Sequence, residues 1–143
     1  MFKNISKTIF YNKNVSKFYL IDCKNKKIGR LSTLVVDIIT GKYNIFYTPN
    51  IINNNRVILY NVDKMSVLNK KKKKYIHYTG YPGGQKIIFF KEYFLKYPKK
   101  ILLHSILGMI KKNHNKNYIK KKIFLYTSKE KFSLKNSYIT ITI

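Results

Sequence analysis

Alanine and tryptophan are absent, and only 5 of the 143 residues are acidic, against 30 lysines and arginines. The acids, Asp22, Asp37, Asp63, Glu92 and Glu130, form no close pair and show no acid–histidine spacing. General acid–base chemistry needs such groups within reach of one another, so the sequence points away from an enzyme. The single cysteine, Cys23, excludes an internal disulfide and a cysteine-based zinc cluster. It reads as a small, half-buried hydrophobe rather than a reactive thiol. His77, His104 and His114 lie far apart without a ligand pattern, so no metal is expected. His104, amid Leu102, Leu103 and Ile106, reads as a core or half-buried residue. No apolar run exceeds four residues, as in Ile87 to Phe90, whereas a spanning helix needs about 20. No membrane partner is expected.

What is present is one sign of charge. The formal net charge is +25, and 45% of residues are apolar, enough for the core of one domain. Self-repulsion on that scale calls for a polyanion to supply counter-charge. Arg30 and Arg56 are the only arginines; the remaining cations are lysines. Lysine acts as a point charge on phosphate, which favours backbone and shape recognition over the reading of base edges. Lys, Asn, Ile, Tyr and Phe make up 86 of the 143 residues, a bias toward A- and T-rich codons that also favours Lys over Arg. The lysines are dispersed along the chain rather than gathered in a tail. That distribution suits a folded body set into RNA better than a tether.

Three stretches divide the chain. Residues 1–16 are basic and acid-free, and read as a short organelle presequence or a basic arm. Residues 17–128 carry the domain, and 129–143 a polar or weakly extended tail. Phe18 to Asp22 reads as a strand. Ile28, Leu31, Leu34, Val35, Ile38 and Ile39 then fall at helical spacing, with Gly41 placed to end the helix. Asn53 to Asn55 suits a turn, Arg56 to Tyr60 a buried strand, and Met65 to Leu68 a short third strand. Glu92 to Leu95 and Ile101 to Ile110 read as helices separated at Tyr97-Pro98. Ile123 to Tyr126 is expected as the final core strand. Strands alternating with helices predict a layered α/β domain.

Two segments are candidates for phosphate contact. In the first, Lys70, Lys71, Lys72, Lys73 and Lys74 lead through Tyr75 and His77 into Tyr78-Thr79-Gly80-Tyr81-Pro82-Gly83-Gly84, with Lys86 beyond. Glycines let backbone amides approach an anion, and tyrosines can stack on unpaired bases. The loop has neither the Gly-Lys-Ser/Thr ending of a phosphate-binding NTPase loop nor a Gly-x-Gly-x-x-Gly fingerprint, so no nucleotide cofactor or small-molecule substrate is expected. In the second, Lys111, Lys112, His114, Lys116, Lys120, Lys121 and Lys122 are interspersed with asparagine.

Several short pieces occur in an order that resembles the bacterial-type family of the thirteenth protein of the large ribosomal subunit. They are Tyr19-Leu-Ile-Asp22, Ile28-Gly-Arg-Leu-Ser-Thr33, Gly41-Lys42, Tyr47-Thr48-Pro49, Asn61-Val-Asp-Lys64, His77 to Gly84, Gly108-Met109 and Leu125-Tyr126. The resemblance spans residues 17–128. It implies a three-layer α/β/α domain around a mostly parallel four-stranded sheet. It also implies a structural, non-catalytic role: binding large-subunit rRNA, aiding assembly and meeting neighbouring ribosomal proteins. By position, it adds Arg30, Lys42, Tyr47 and Thr48 to the RNA-contact candidates.

The chain departs from the family pattern at three places. Ile52-Asn-Asn-Asn55 stands where the family usually has Asp-x-Gly-Asp. Lys111 replaces a proline, and Asn115-Lys116-Asn117 replaces Leu-Gly-Arg. The end, Lys135 to Ile143, alternates in a way that suits an edge strand or a protein contact. The alternative function is a free RNA-binding regulator acting on messengers. The compartment expected is an organellar ribosome, the mitochondrion ahead of the plastid or a bacterial cytoplasm.

Overall fold

Strand β1, Phe18–Asp22, is the hub of the sheet in a computed structural model that describes residues 16–45, 47–49, 53–67, 73–111, 116–128 and 138–141. Its neighbours are β2, Arg56–Tyr60, on one side and β6, Ile139–Ile141, on the other. Beyond β2 lies β5, Ile123–Leu125, which completes the order β5-β2-β1-β6. All three pairings are parallel, as strands joined by helical crossovers require. The chain forms an α/β domain with a parallel four-stranded sheet.

Helix α1, Ile28–Thr40, joins β1 to β2; α2, Phe90–Lys96, α3, Pro98–Met109, and α4, Lys116–Lys120, precede β5. The steps from β1 to β2 and from β2 to β5 advance in one direction, and α1 and α3 pack against each other on one face of the sheet, as the right-handed rule for such crossovers predicts. Tyr19, Ile21, Val57, Leu59, Ile123, Leu125 and Ile141 pack with the helices there, joined by Leu31, Val35, Ile39, Ile101, Leu102 and Ile106. Where α1 crosses α3, the buried Ser32 hydroxyl donates to the Ile28 carbonyl at 2.8 Å and meets the Ser105 hydroxyl at 3.1 Å. A small residue at that point lets the two helices approach. β6 pairs with β1 at the edge of the sheet opposite β5. Residues 129–137, most of the stretch read as a polar or weakly extended tail, lie outside the described residues.

Gly41 terminates α1 in the left-handed region at φ 78°, its amide donating to the carbonyls of Asp37 and Ile38. A side chain there would be strained, and an added Cβ would lie 1.5 Å from Asn53 Nδ2. Gly41→Ala is therefore expected to cost more than the ~1 kcal/mol of an open left-handed site, read as a lowered urea midpoint with unchanged m-value. An unchanged midpoint would mean that Asn53 moves aside freely and that the helix end carries no strain.

Several expected elements differ. The segment read as a strand at Met65 to Leu68 forms a single parallel bridge between Ser66 and Lys27. Its partner Lys27 is the residue just before α1, so pairing cannot extend; Met65 and Val67 beside the bridge are buried, and Leu68 lies outside the described residues. Tyr75 and its neighbours form a second sheet, an antiparallel hairpin of β3, Lys74–Tyr78, and β4, Gln85–Phe89. The helix read from Glu92 begins at Phe90, and the one read from Ile101 begins at Pro98, whose fixed φ suits the first helical position. β5 is an edge strand and not the final one, because Ile139–Ile141 of the carboxyl-terminal stretch pairs with β1 at the opposite edge. His104 is exposed rather than core or half-buried, lying edge-on to Tyr75 with ring centroids 6.0 Å apart. Asn55 is buried, donating from Nδ2 to the Ile38 carbonyl at 2.8 Å, so the asparagine run tethers β2 to α1.

Candidate nucleic-acid interface

The parallel topology sorts the candidate residues to two ends of the sheet. α1 begins beyond the carboxyl end of β1 and finishes near the amino end of β2. Arg30, exposed in the first turn of α1, therefore belongs to the carboxyl end. So does the hairpin, whose base packs beside Ile28, Val67 and Ser105 through Lys73, Lys74 and Tyr75. Lys42, Tyr47 and Thr48, which follow α1, belong to the amino end, as do Lys121 and Lys122, which lead into β5.

In the hairpin, alternation decides which tyrosines are free. Tyr75 is half-buried, with ring centroids 5.8 Å from both Phe90 and Tyr93. Tyr78 is 62% exposed and Tyr81, at the tip, 75%. The tip closes by a turn in which the Gly84 amide donates to the Tyr81 carbonyl at 2.8 Å. Pro82 and Gly83 fill its centre, and Gly83 at φ 71° supplies the positive φ that a Pro-Gly turn of this kind needs. Gly84 has no room for a side chain, since a Cβ would fall 2.1 Å from the Thr79 hydroxyl. Thr79, Gly80 and Lys86 are exposed on the same arm, as are Lys73 and Lys74 at its base. Lys70, Lys71 and Lys72 lie outside the described residues, as do Lys112 and His114.

At the amino end the lysines have different fates. Lys42 donates to Asp37 at 2.7 Å, a bond that, with the carboxylate's charge, raises the lysine's pKa and ties up part of its charge. Lys111, Lys120 and Lys121 are exposed, and Lys116 is half-buried. Lys122 is only 6% exposed. Its ammonium donates to the Asn53 carbonyl and to Asn54 Oδ1, and lies 4.2 Å from the centre of the Tyr118 ring. Burial, and the nearby Arg56 charge, pull its pKa down against the hydrogen bond and charge of Tyr118. Its position suits the floor of the surface rather than a mobile phosphate contact. Arg56, not among the residues singled out from sequence, stacks over Phe18 at 5.4 Å. Its being one of only two arginines was the one sequence signal available for it.

Asp22 and Asp63, like Asp37, are occupied by structure. Asp22 Oδ1 accepts from the Lys24 amide at 3.0 Å and from Asn61 Nδ2 at 2.9 Å. Asp63 accepts the amide and hydroxyl of Ser128. Burial alone would raise the Asp63 pKa, but the Ser128 bonds, its own backbone amide and Lys64 together hold it below the usual carboxylate value. Cys23 is fully buried, and desolvation, then the charge of Asp22, pushes its thiol up to about 12, where it is unreactive. Among the described residues, no group of three or more His, Cys, Asp or Glu could hold a metal, and no helix is long and apolar enough to cross a membrane.

A parallel α/β domain whose exposed cations gather at both ends of its sheet, and whose Asp22, Asp37 and Asp63 serve backbone and side-chain tethers, belongs to the class of basic structural proteins. A sequence model of the family described as Ribosomal protein L13 matches residues 16–131. Three relatives bear it out. Large ribosomal subunit protein uL13c of Gracilaria tenuistipitata var. liui is 42% identical over 70% of this chain and 71% of its own. Large ribosomal subunit protein uL13 of Caldanaerobacter subterraneus subsp. tengcongensis is 34% identical over 80% of this chain and 81% of its own. That of Finegoldia magna is 38% identical over 77% of this chain and 78% of its own. The chain belongs to the ribosomal protein L13 family, and is a structural ribosomal protein rather than an enzyme.

Proposed function

We propose that this protein is a constituent of the large subunit of a bacterial-type ribosome, where it binds large-subunit rRNA and helps fold it during assembly. The observation that carries this reading is the hairpin. An arm with two exposed tyrosines, a glycine-closed tip and lysines at its base has the chemistry to stack on unpaired bases while neutralising phosphates. Arg30 adds charge at the same end of the sheet, and Lys111, Lys116, Lys120 and Lys121 form a second contact. Neighbouring large-subunit proteins are the other partners. Residues 17–128 carry the RNA-binding body, with 1–16 as a basic arm or presequence and 129–143 as a C-terminal tail, of which Ile139–Ile141 pairs with β1.

The ribosome is that of an organelle. The A- and T-rich codon bias and the basic, acid-free residues 1–16 support this, and relatives in bacteria and the chloroplast form uL13c fit a bacterial-type particle. The mitochondrion is the compartment we assign, with the plastid as its rival. Ultraviolet crosslinking in cells, followed by sequencing of the attached RNA and mapping of the crosslinked peptides, tests both points. Adducts from the 70–86 and 111–122 peptides to large-subunit rRNA are expected, and that rRNA's sequence identifies the compartment. Adducts to messengers alone would replace this reading with that of a free regulator.

A further inference from the structure

At the amino ends of β2 and β5, on the sheet face turned away from α1 and α3, a cavity of about 620 Å³ opens. Its walls come from far apart in the chain: Asn54, Arg56, Tyr118, Lys121, Lys122 and Phe124. Phe124 faces away from the main core because its neighbours Ile123 and Leu125 face into it; Arg56 shares that outer face because Val57 is inward. Four of these residues are held by their neighbours. Asn54 Oδ1 accepts from the Tyr118 hydroxyl at 3.1 Å and from the Lys122 ammonium at 3.3 Å. The Arg56 guanidinium rests on Phe18, which in turn meets Tyr138 edge-on at 5.8 Å.

Three cations therefore converge on one cavity, and among the described residues no carboxylate lines it. Lys122 among them is nearly buried, its ammonium held by the Asn53 carbonyl and Asn54 Oδ1. Such a site is completed by an anion. Two aromatic rings, Tyr118 and Phe124, are each partly exposed beside the cations, which a bare phosphate would not use. A phosphate attached to a planar base uses both. The volume falls in the range, roughly 300–1,000 Å³, of clefts that enclose small organic ligands.

We infer that this cavity receives one unstacked nucleotide of the bound RNA, its base against Tyr118 and Phe124 and its phosphate on Arg56 and Lys121 above the fixed charge of Lys122. This deepens the proposed rRNA-binding function and rests on it. Asn54 suits the task, since its neutral amide positions Tyr118 and Lys122 without adding negative charge.

The test is equilibrium binding of the full-length chain to large-subunit rRNA over a salt series, with three variants whose folding is checked by thermal melting. Phe124→Leu keeps an apolar edge-strand residue but removes the stacking ring, and should weaken binding about tenfold with the salt slope unchanged. Phe124→Tyr should restore wild-type affinity. Arg56→Gln should weaken binding and lower the magnitude of the salt slope by about one contact. If the wild type binds and Phe124→Leu and Arg56→Gln bind equally well, the cavity inference falls while rRNA binding stands. If the wild type itself shows no preference for this rRNA, both fall together.

Discussion

Raising monovalent salt from 50 to 200 mM is expected to weaken binding of the full-length protein to large-subunit rRNA by about 10³-fold. Among the described residues, Arg30, Lys73, Lys74, Lys86, Lys111, Lys120 and Lys121 are exposed cations spread over both ends of the sheet. If each displaces one condensed counterion, log affinity falls with log salt at a slope of about −5 to −6. Filter binding or fluorescence anisotropy across a salt series reads the slope directly. A slope near zero would mean that the exposed lysines are solvated charge and that the anionic backbone is not the principal partner. A slope of about −1 or −2 would confine contact to one small patch, contrary to a body that meets RNA at two ends. Replacing Tyr81 with serine should leave this slope unchanged while lowering affinity, since stacking releases no counterions.

The second large effect is on folding. Leu59, fully buried in β2 between β1 and β5, packs in the cluster that joins sheet to helices. Leu59→Ala is expected to cost about 2–5 kcal/mol, because the lost contacts and the residual cavity add. For a chain of this length that lowers Tm by roughly 5–15 °C. Leu95→Ala is the control: Leu95 is 74% exposed, and its truncation should change stability by less than about 0.5 kcal/mol. Urea unfolding followed by circular dichroism separates the two. Similar midpoints for both variants would mean that Leu59 is not in a continuous core.

Much of the α/β domain is legible in the sequence for local reasons. The helical spacing of Ile28 to Ile39, the capping Gly41 and the branched run at Arg56 to Tyr60 each announce an element before any contact is known. The hairpin is less legible. Its first strand begins at the end of five lysines, and both strands are largely exposed, so neither apolar alternation nor a hydrophobic run marks them. The edge strand Ile139–Ile141 is marked by alternation, but its partner is not, because parallel pairing with β1 joins the two ends of the chain. His104 misleads for the opposite reason. Leucines surround it in sequence, yet the helix carries it to the outer side, where its ring lies at right angles to that of Tyr75.

Charge and chemical class are properties of the sequence by itself. A chain with 30 basic and 5 acidic residues seeks an anionic partner whatever its fold, and the ordered motifs place it in its family. Which cations are free to meet that partner is decided only by tertiary structure. Lys121 and Lys122 are adjacent and chemically identical. Yet the first is exposed, while the second is buried against Asn53, Asn54 and the Tyr118 ring. Likewise Arg56, Tyr118 and Phe124 have no relation along the chain and become one cavity wall only when β2 and β5 pair. Side-chain direction and burial depend on what packs from distant segments, and no local pattern contains that information.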